Sequence, residues 1–137
     1  MGIKRFIDAQ KRDYEMAFSE ISEGHKRNHY MWYIFPQLKD LGSTSTSKYY
    51  GIRDIEEAKE YMDNEYLRNN LINISKVLLT LGTNNPKDIF GHIDSIKLRS
   101  SMTLFELVSD DDVFSKVLDK YYDGVRDEIT LNLINRK

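Results

Sequence analysis

Apolar residues recur along this chain at steps of three and four, the interval of one face of an α-helix. The clearest run is Leu67, Leu71, Ile74, Leu78 and Leu81, closed by Gly82. Tyr14, Ala17, Phe18 and Ile21 predict an earlier helix from about Asp8 to Glu23, stopping at Gly24. Asp54 followed by Glu57 has the form of a capping box and opens a short helix through Met62. Asn85-Pro86 pairs an N-cap residue with proline at the first helical position. Asp94 is placed to cap a helix with Leu98, Met102 and Phe105 inside. Ser109 with Asp112 starts another, with Val113, Val117, Leu118 and Tyr121 inward. Asp123-Gly124 separates it from a last helix running to about Ile134.

Two stretches depart from this pattern. Tyr30-Met31-Trp32-Tyr33-Ile34-Phe35 is continuously aromatic and apolar, and Pro36 forces Phe35 out of helical dihedrals. A strand here would need a partner to satisfy its backbone, and none is visible, so a buried helix is the better reading. Gly42-Ser43-Thr44-Ser45-Thr46-Ser47 reads as a polar loop and the best candidate for a lid. There is no internal repeat and no interdomain linker. The expectation is an all-α fold, a single compact domain over residues 1–137 with about six to eight helices.

Composition narrows the class. The 137 residues are 40% hydrophobic, enough for a core, and no apolar run is long enough to span a membrane. The start, Met1-Gly2-Ile3-Lys4-Arg5, lacks a signal-like apolar stretch, and Phe6 stands where a myristoylation motif wants Ser or Thr. With no Cys, disulfides and thiol chemistry are excluded. A cytoplasmic protein is expected. A homo-oligomer is compatible with all of this.

The net charge of −2 hides an uneven distribution. From Gly24 to Lys39 there are three cations, Lys26, Arg27 and Lys39, and no acid; from Ser95 to Phe105 the only charges are Lys97 and Arg99. The pI of 5.9 argues against nucleic-acid binding. Two short basic segments suit a compact anion, a phosphate or a carboxylate, better than a polyanion. Solvated or locally paired cations are the plainer account of any one of them.

If residues 25–37 are helical, His25, His29, Trp32 and Pro36 share one face, and Met31, Ile34, Phe35 and Leu38 form the core face. Trp32 is then either a stacking surface or simply core. The spacing of His25 and His29 superficially fits a zinc site, but Lys26 and Arg27 follow the first His and would repel a metal. No metal and no cofactor are expected. On the second segment, Asp94, Lys97 and Ser101 share a helical face with Ser100 beside them. Serines at mid-helix are costly, so they ask for a polar pocket or a close helix–helix contact, with packing slightly ahead. A helical serine is poorly presented as a nucleophile even with His92 nearby.

These same residues resemble the domain of unknown function 1810 family. The resemblance rests on Gly24-His25-Lys26-Arg27-Asn28-His29-Tyr30-Met31-Trp32-Tyr33-Ile34-Phe35-Pro36-Gln37, on Tyr50-Gly51-Ile52, and on Ile89-Phe90-Gly91 with Asp94. Lys97-Leu98-Arg99-Ser100-Ser101-Met102-Thr103-Leu104-Phe105 and the closing Asp123-Gly124, Asp127 and Thr130-Leu131 complete it. Asn28 and Tyr30 depart from the family's usual Ser and Trp. The resemblance implies a small, largely helical protein and carries no established activity. It tips the balance toward a shared site formed by His25, Lys26, Arg27, His29, Trp32, Lys97, Arg99, Ser100 and Ser101. Lys26, Arg27, Lys97 and Arg99 would hold the anion of a phosphorylated or nucleotide-like ligand, with Trp32 or Tyr50 stacked on its flat part. If hydrolysis occurs, on an ADP-ribose or NAD type of substrate, Asp94 is the candidate base and His29 the candidate acid. The alternative is a helical interaction or sequestering module without catalysis.

Overall fold

In the computed structural model, which describes residues 2–135, helix α1 spans Lys4–Ser22, starting at Lys4 rather than near Asp8. It is followed by a single helical turn, α2 (Met31–Ile34), a 3-10 turn (Lys39–Leu41), and α3 (Ser45–Tyr50). Then come α4 (Ile55–Asp63), α5 (Glu65–Thr80), α6 (Pro86–Glu106), α7 (Val113–Tyr122) and α8 (Glu128–Asn135). The fold is all-α. Among the described residues the β-structure is one parallel bridge, Leu38 to Ile52. No helix there is long and apolar enough to cross a membrane. Residues 1, 136 and 137, part of the expected 1–137 domain, lie outside the described residues.

The apolar stripe read from the sequence is the centre of the molecule. Leu67, Leu71, Ile74 and Leu78 of α5 are buried, and α5 packs against both α1 and α7, with α7 in turn against α6. A relay of rings crosses the core, from Phe6 to Tyr61 (5.2 Å), Phe105 (5.1 Å) and Phe114 (6.2 Å). Fully burying one such side chain contributes about 1.5–3 kcal/mol.

Two caps read from the sequence, at Asp54 and Asn85, are formed, whereas Asp112 makes no side-chain cap at the start of α7 and Asp111 accepts the Val113 amide instead. Asp54 accepts from the Glu57 amide at 3.0 Å, Asn64 from Leu67, and Asn85 from Lys87. Asp54–Glu57 is only half a capping box, because the Glu57 carboxylate turns to the Arg53 amide and to Arg5. The break inside α6 falls at Gly91, not at Asp94. Gly91 takes φ 77 and ψ 176, a conformation essentially closed to other residues. Asp94 therefore sits in the first turn after the kink, with its carboxylate turned sideways to Lys26 and Lys97.

Two expectations need correction. Residues 25–30 are not helical, so His25, His29, Trp32 and Pro36 do not form one helical face. Gly24, at φ 80, ends α1, and the next residues are pulled back onto it by Glu20. This buried carboxylate accepts from the amides of Arg27 (2.6 Å) and Asn28 (3.1 Å), the Tyr30 hydroxyl (3.0 Å) and the Asn28 side chain. The lid candidate is also different. Thr44 caps α3, so residues 45–47 are helical rather than loop. A Cβ at Gly42 would stand 2.4 Å from the Ser47 Cβ and 2.7 Å from the Trp32 ring, which packs the two ends of the segment while Ser43, Thr44, Ser45 and Thr46 stay exposed.

Candidate functional site

The kink at Gly91 and the loop held by Glu20 meet at an open cavity of about 230 Å³. The Lys26 amide donates to the Ile89 carbonyl at 2.8 Å, which fixes the loop to the N-terminal part of α6. From there the Lys26 ammonium reaches the Asp94 carboxylate at 2.8 Å, and Lys97 reaches its other oxygen at 3.4 Å. Two ammonium groups against one carboxylate leave the cluster one positive charge in excess. Each lysine also lies over an aromatic ring: Lys26 is 4.9 Å from the Tyr30 centroid and Lys97 is 5.9 Å from that of Trp32. Tyr33, Met31, Thr44, Thr46 and His29 complete the lining.

Glu20 is the electrostatic anchor beneath this arrangement. Burial pushes its carboxyl up, but the hydrogen bonds from Arg27, Asn28 and Tyr30 outweigh burial and hold it down at about 2. The Tyr30 hydroxyl is pushed in the opposite sense, upward, by its burial and by its bond to Glu20.

Of the residues expected to share a site, the cavity gathers Lys26, His29, Trp32, Asp94 and Lys97. His25 is exposed in the loop, and Arg27 is exposed and paired with Glu23 at 2.9 Å. Tyr50 packs into an aromatic group with Tyr33, Tyr49 and Phe6. Arg99 turns to the ring of Tyr122, its Cζ 5.8 Å from the centroid, and its Nε is buried without a hydrogen-bond partner among the described residues. Ser100 donates to Asp127 at 3.1 Å, and Ser101 is wholly buried. The hydroxyl of Ser101 has no hydrogen-bond partner among the described residues, whereas those of Ser100 and Thr103 belong to the junction with α8. There Asp127 also accepts from the Thr130 amide and hydroxyl, while its own amide donates to Thr103.

Trp32 offers no open stacking face, being 8% exposed with Lys97 over its ring. The sequence reading overlooked Tyr30, Thr44 and Thr46 as wall residues. It also overlooked Glu20, whose spacing three residues after Ala17 and one before Ile21 put a carboxylate on a buried face. Among the described residues no group of three or more His, Asp or Glu side chains is placed to hold a metal ion.

Residues 1–134 match the family described as protein of unknown function, DUF1810. The chain belongs to that family. The DUF1810 match is joined by a solved structure, the conserved hypothetical protein Rv1873 from Mycobacterium tuberculosis. It is 38% identical to this chain and superposes with a TM-score of 0.94 over 97% of this chain and 96% of its own. No curated protein matches the sequence. The motifs that carry the DUF1810 resemblance therefore fall in three places, around the cavity, in the α6–α8 junction, and where Tyr50-Gly51-Ile52 meets residues 38–39.

Proposed function

We propose that this protein binds a compact anionic ligand, a phosphate ester or a carboxylate, in the cavity between Lys26 and Lys97. The observation that supports it is the pair of lysines bracketing one carboxylate at an open cavity, with the indole and phenol rings as walls. Lys26 is held almost out of water, its side chain 6% exposed, so its charge is weakly screened. His29 and Thr46 at the exposed edge add further polar groups. At about 230 Å³ the space is below the roughly 300–1,000 Å³ of pockets for larger ligands, which favours a sugar phosphate or one end of a nucleotide.

Binding, not turnover, is the function proposed. Both oxygens of Asp94 face ammonium groups, so a role as general base requires the ligand first to draw a lysine away. His29 and Asp94 do line one cavity, and product formation in the same experiment would extend the reading to hydrolysis.

The test is a thermal-unfolding screen against sugar phosphates, mononucleotides and NAD-derived compounds, repeated with Lys97→Gln. A ligand at about 100 times its dissociation constant stabilises by roughly 2.7 kcal/mol, which for a chain of this size is on the order of 10 °C. Stabilisation of the wild type by at least one compound of the panel that disappears in Lys97→Gln is the expected result. A flat response across the panel would leave the interaction-module reading, for which exposed Ile93 and Ile96 beside the cavity residues of α6 are the relevant surface.

A further inference from the structure

A second basic hollow, of about 150 Å³, shares no lining residue with the Lys26–Lys97 cavity. It is bordered by Arg5, Lys39, Lys48, Tyr49, Arg53 and Glu57. Its construction begins at Gly51. The backbone at 51–52 lies flat against 38–39, with Lys39 donating its amide to the Ile52 carbonyl at 2.9 Å. A Cβ at Gly51 would come within 2.3 Å of the Lys39 Cα, so only glycine permits the approach. This brings Lys48 and Tyr49, on the last turn of α3, beside Lys39.

The acids nearby are already engaged. Glu57 receives both terminal nitrogens of Arg5, at 2.9 and 3.1 Å, and the Arg53 amide at 2.9 Å. Asp54 takes the Arg53 Nε at 3.1 Å. Arg5 is 7% exposed and bonds the carbonyl of Gly51, so it forms the rigid base of the hollow. Lys39 and Lys48 stand apart from all this, exposed and with no acid within ion-pairing distance among the described residues. In a chain with net charge −2, two uncompensated lysines converging on one hollow make a local positive potential. Tyr49 on its wall is 46% exposed, giving the accessible aromatic surface that Trp32 lacks.

We propose that this hollow is a second binding site, for a phosphate monoester carrying a flat ring, the chemistry of a 5′-mononucleotide. Its volume is that of roughly five waters, enough for the phosphate between Lys39 and Lys48. The ring lies outside, against Tyr49, where stacking tolerates any base. The site is independent of the Lys26–Lys97 cavity and stands or falls separately.

Isothermal titration of the full chain with AMP, adenosine and inorganic phosphate tests it. AMP is expected to bind wild type and Lys97→Gln alike, and adenosine to bind neither. Lys39→Gln and Lys48→Gln each weaken AMP about tenfold, while their unfolding temperatures, as exposed side chains, stay at the wild-type value. Tyr49→Ala weakens AMP about tenfold and leaves inorganic phosphate unchanged. No AMP binding by wild type, or AMP affinity untouched by both lysine changes, overturns the proposal. Loss on Lys97→Gln alone assigns the nucleotide to the other cavity and overturns it too. AMP binding unaffected by Tyr49→Ala overturns the ring-bearing ligand.

Discussion

Segments 24–37 and 97–105 both mix cations with aromatic or hydroxyl residues, yet their polar groups meet different surroundings. In the first, Lys26 and His29 border an open cavity, and the loop that carries them is held by a carboxylate beneath it. In the second, past Lys97, the hydroxyls of Ser100 and Thr103 are consumed by Asp127, at the junction of α6 with α8. Similar residue types thus line an open cavity in one place and dock a helix in the other. The difference lies in what stands opposite: solvent-filled space against the cavity, a second helix terminus against the junction.

Removing the junction should have the largest effect. Asp127 is 5% exposed, accepts from Ser100 and Thr130, and begins α8. Asp127→Ala deletes a helix cap and leaves buried hydroxyls unpaired, which together cost about 3 kcal/mol. Urea unfolding measures this. Ligand affinity at the Lys26–Lys97 cavity, measured where the variant remains folded, should be unchanged; a matching loss of affinity would merge the two regions into one.

Glu20→Gln comes next, at about 2 kcal/mol near pH 7, the scale of hydrogen bonds to a buried charge. Its pH dependence is specific. The Glu20 carboxyl is lowered from the usual 4.5 to about 2 in the folded chain, so its stabilisation is fully present above 4.5 and is lost as pH falls toward 2. The stability gap between wild type and Glu20→Gln should therefore narrow over that window. A gap that stays constant from pH 5 to pH 2.5 would show that Glu20 does not hold the loop as a carboxylate. Gly91→Ala follows, destabilising by about 1–2 kcal/mol because its backbone conformation is strained for any side chain. Because the kink sets the direction of Asp94 and Lys97, this variant should also weaken the anion, which the junction variant does not.

The helices were legible because their signals are local. The α5 stripe, the Asn85-Pro86 start and the Asp123-Gly124 break each depend on residues a few positions apart, and each is where the spacing puts it. The two left-handed residues at that break, at φ 53 and 76, are the kind that Asp and Gly supply. The loop over residues 25–30 was not legible as a loop, because its conformation is set by Glu20 from α1 and by the Ile89 carbonyl from α6. The same holds for the site. Lys26, Asp94 and Lys97 stand out by charge, but nothing near Arg99 announces that its guanidinium turns to Tyr122 instead.

That last contrast gives the finest test, because Lys97 and Arg99 are two residues apart on one helix. Lys97 lines the cavity, 30% exposed, with Asp94 at 3.4 Å; the cavity wall does not include Arg99. Surface ion pairs contribute about 0–1 kcal/mol, so Lys97→Gln should alter stability by about 0.5 kcal/mol or less. Asp94 keeps Lys26 as a partner at 2.8 Å, so no charge is stranded. Its effect should appear only with ligand, as a loss of about tenfold in affinity for a compound held in the Lys26–Lys97 cavity. Arg99→Gln should leave that affinity within twofold. Equal losses from the two would mean that the ligand reaches past the cavity to the face of α6 packed against Tyr122, and the division between an open site and a closed junction would have to be redrawn along α6 itself.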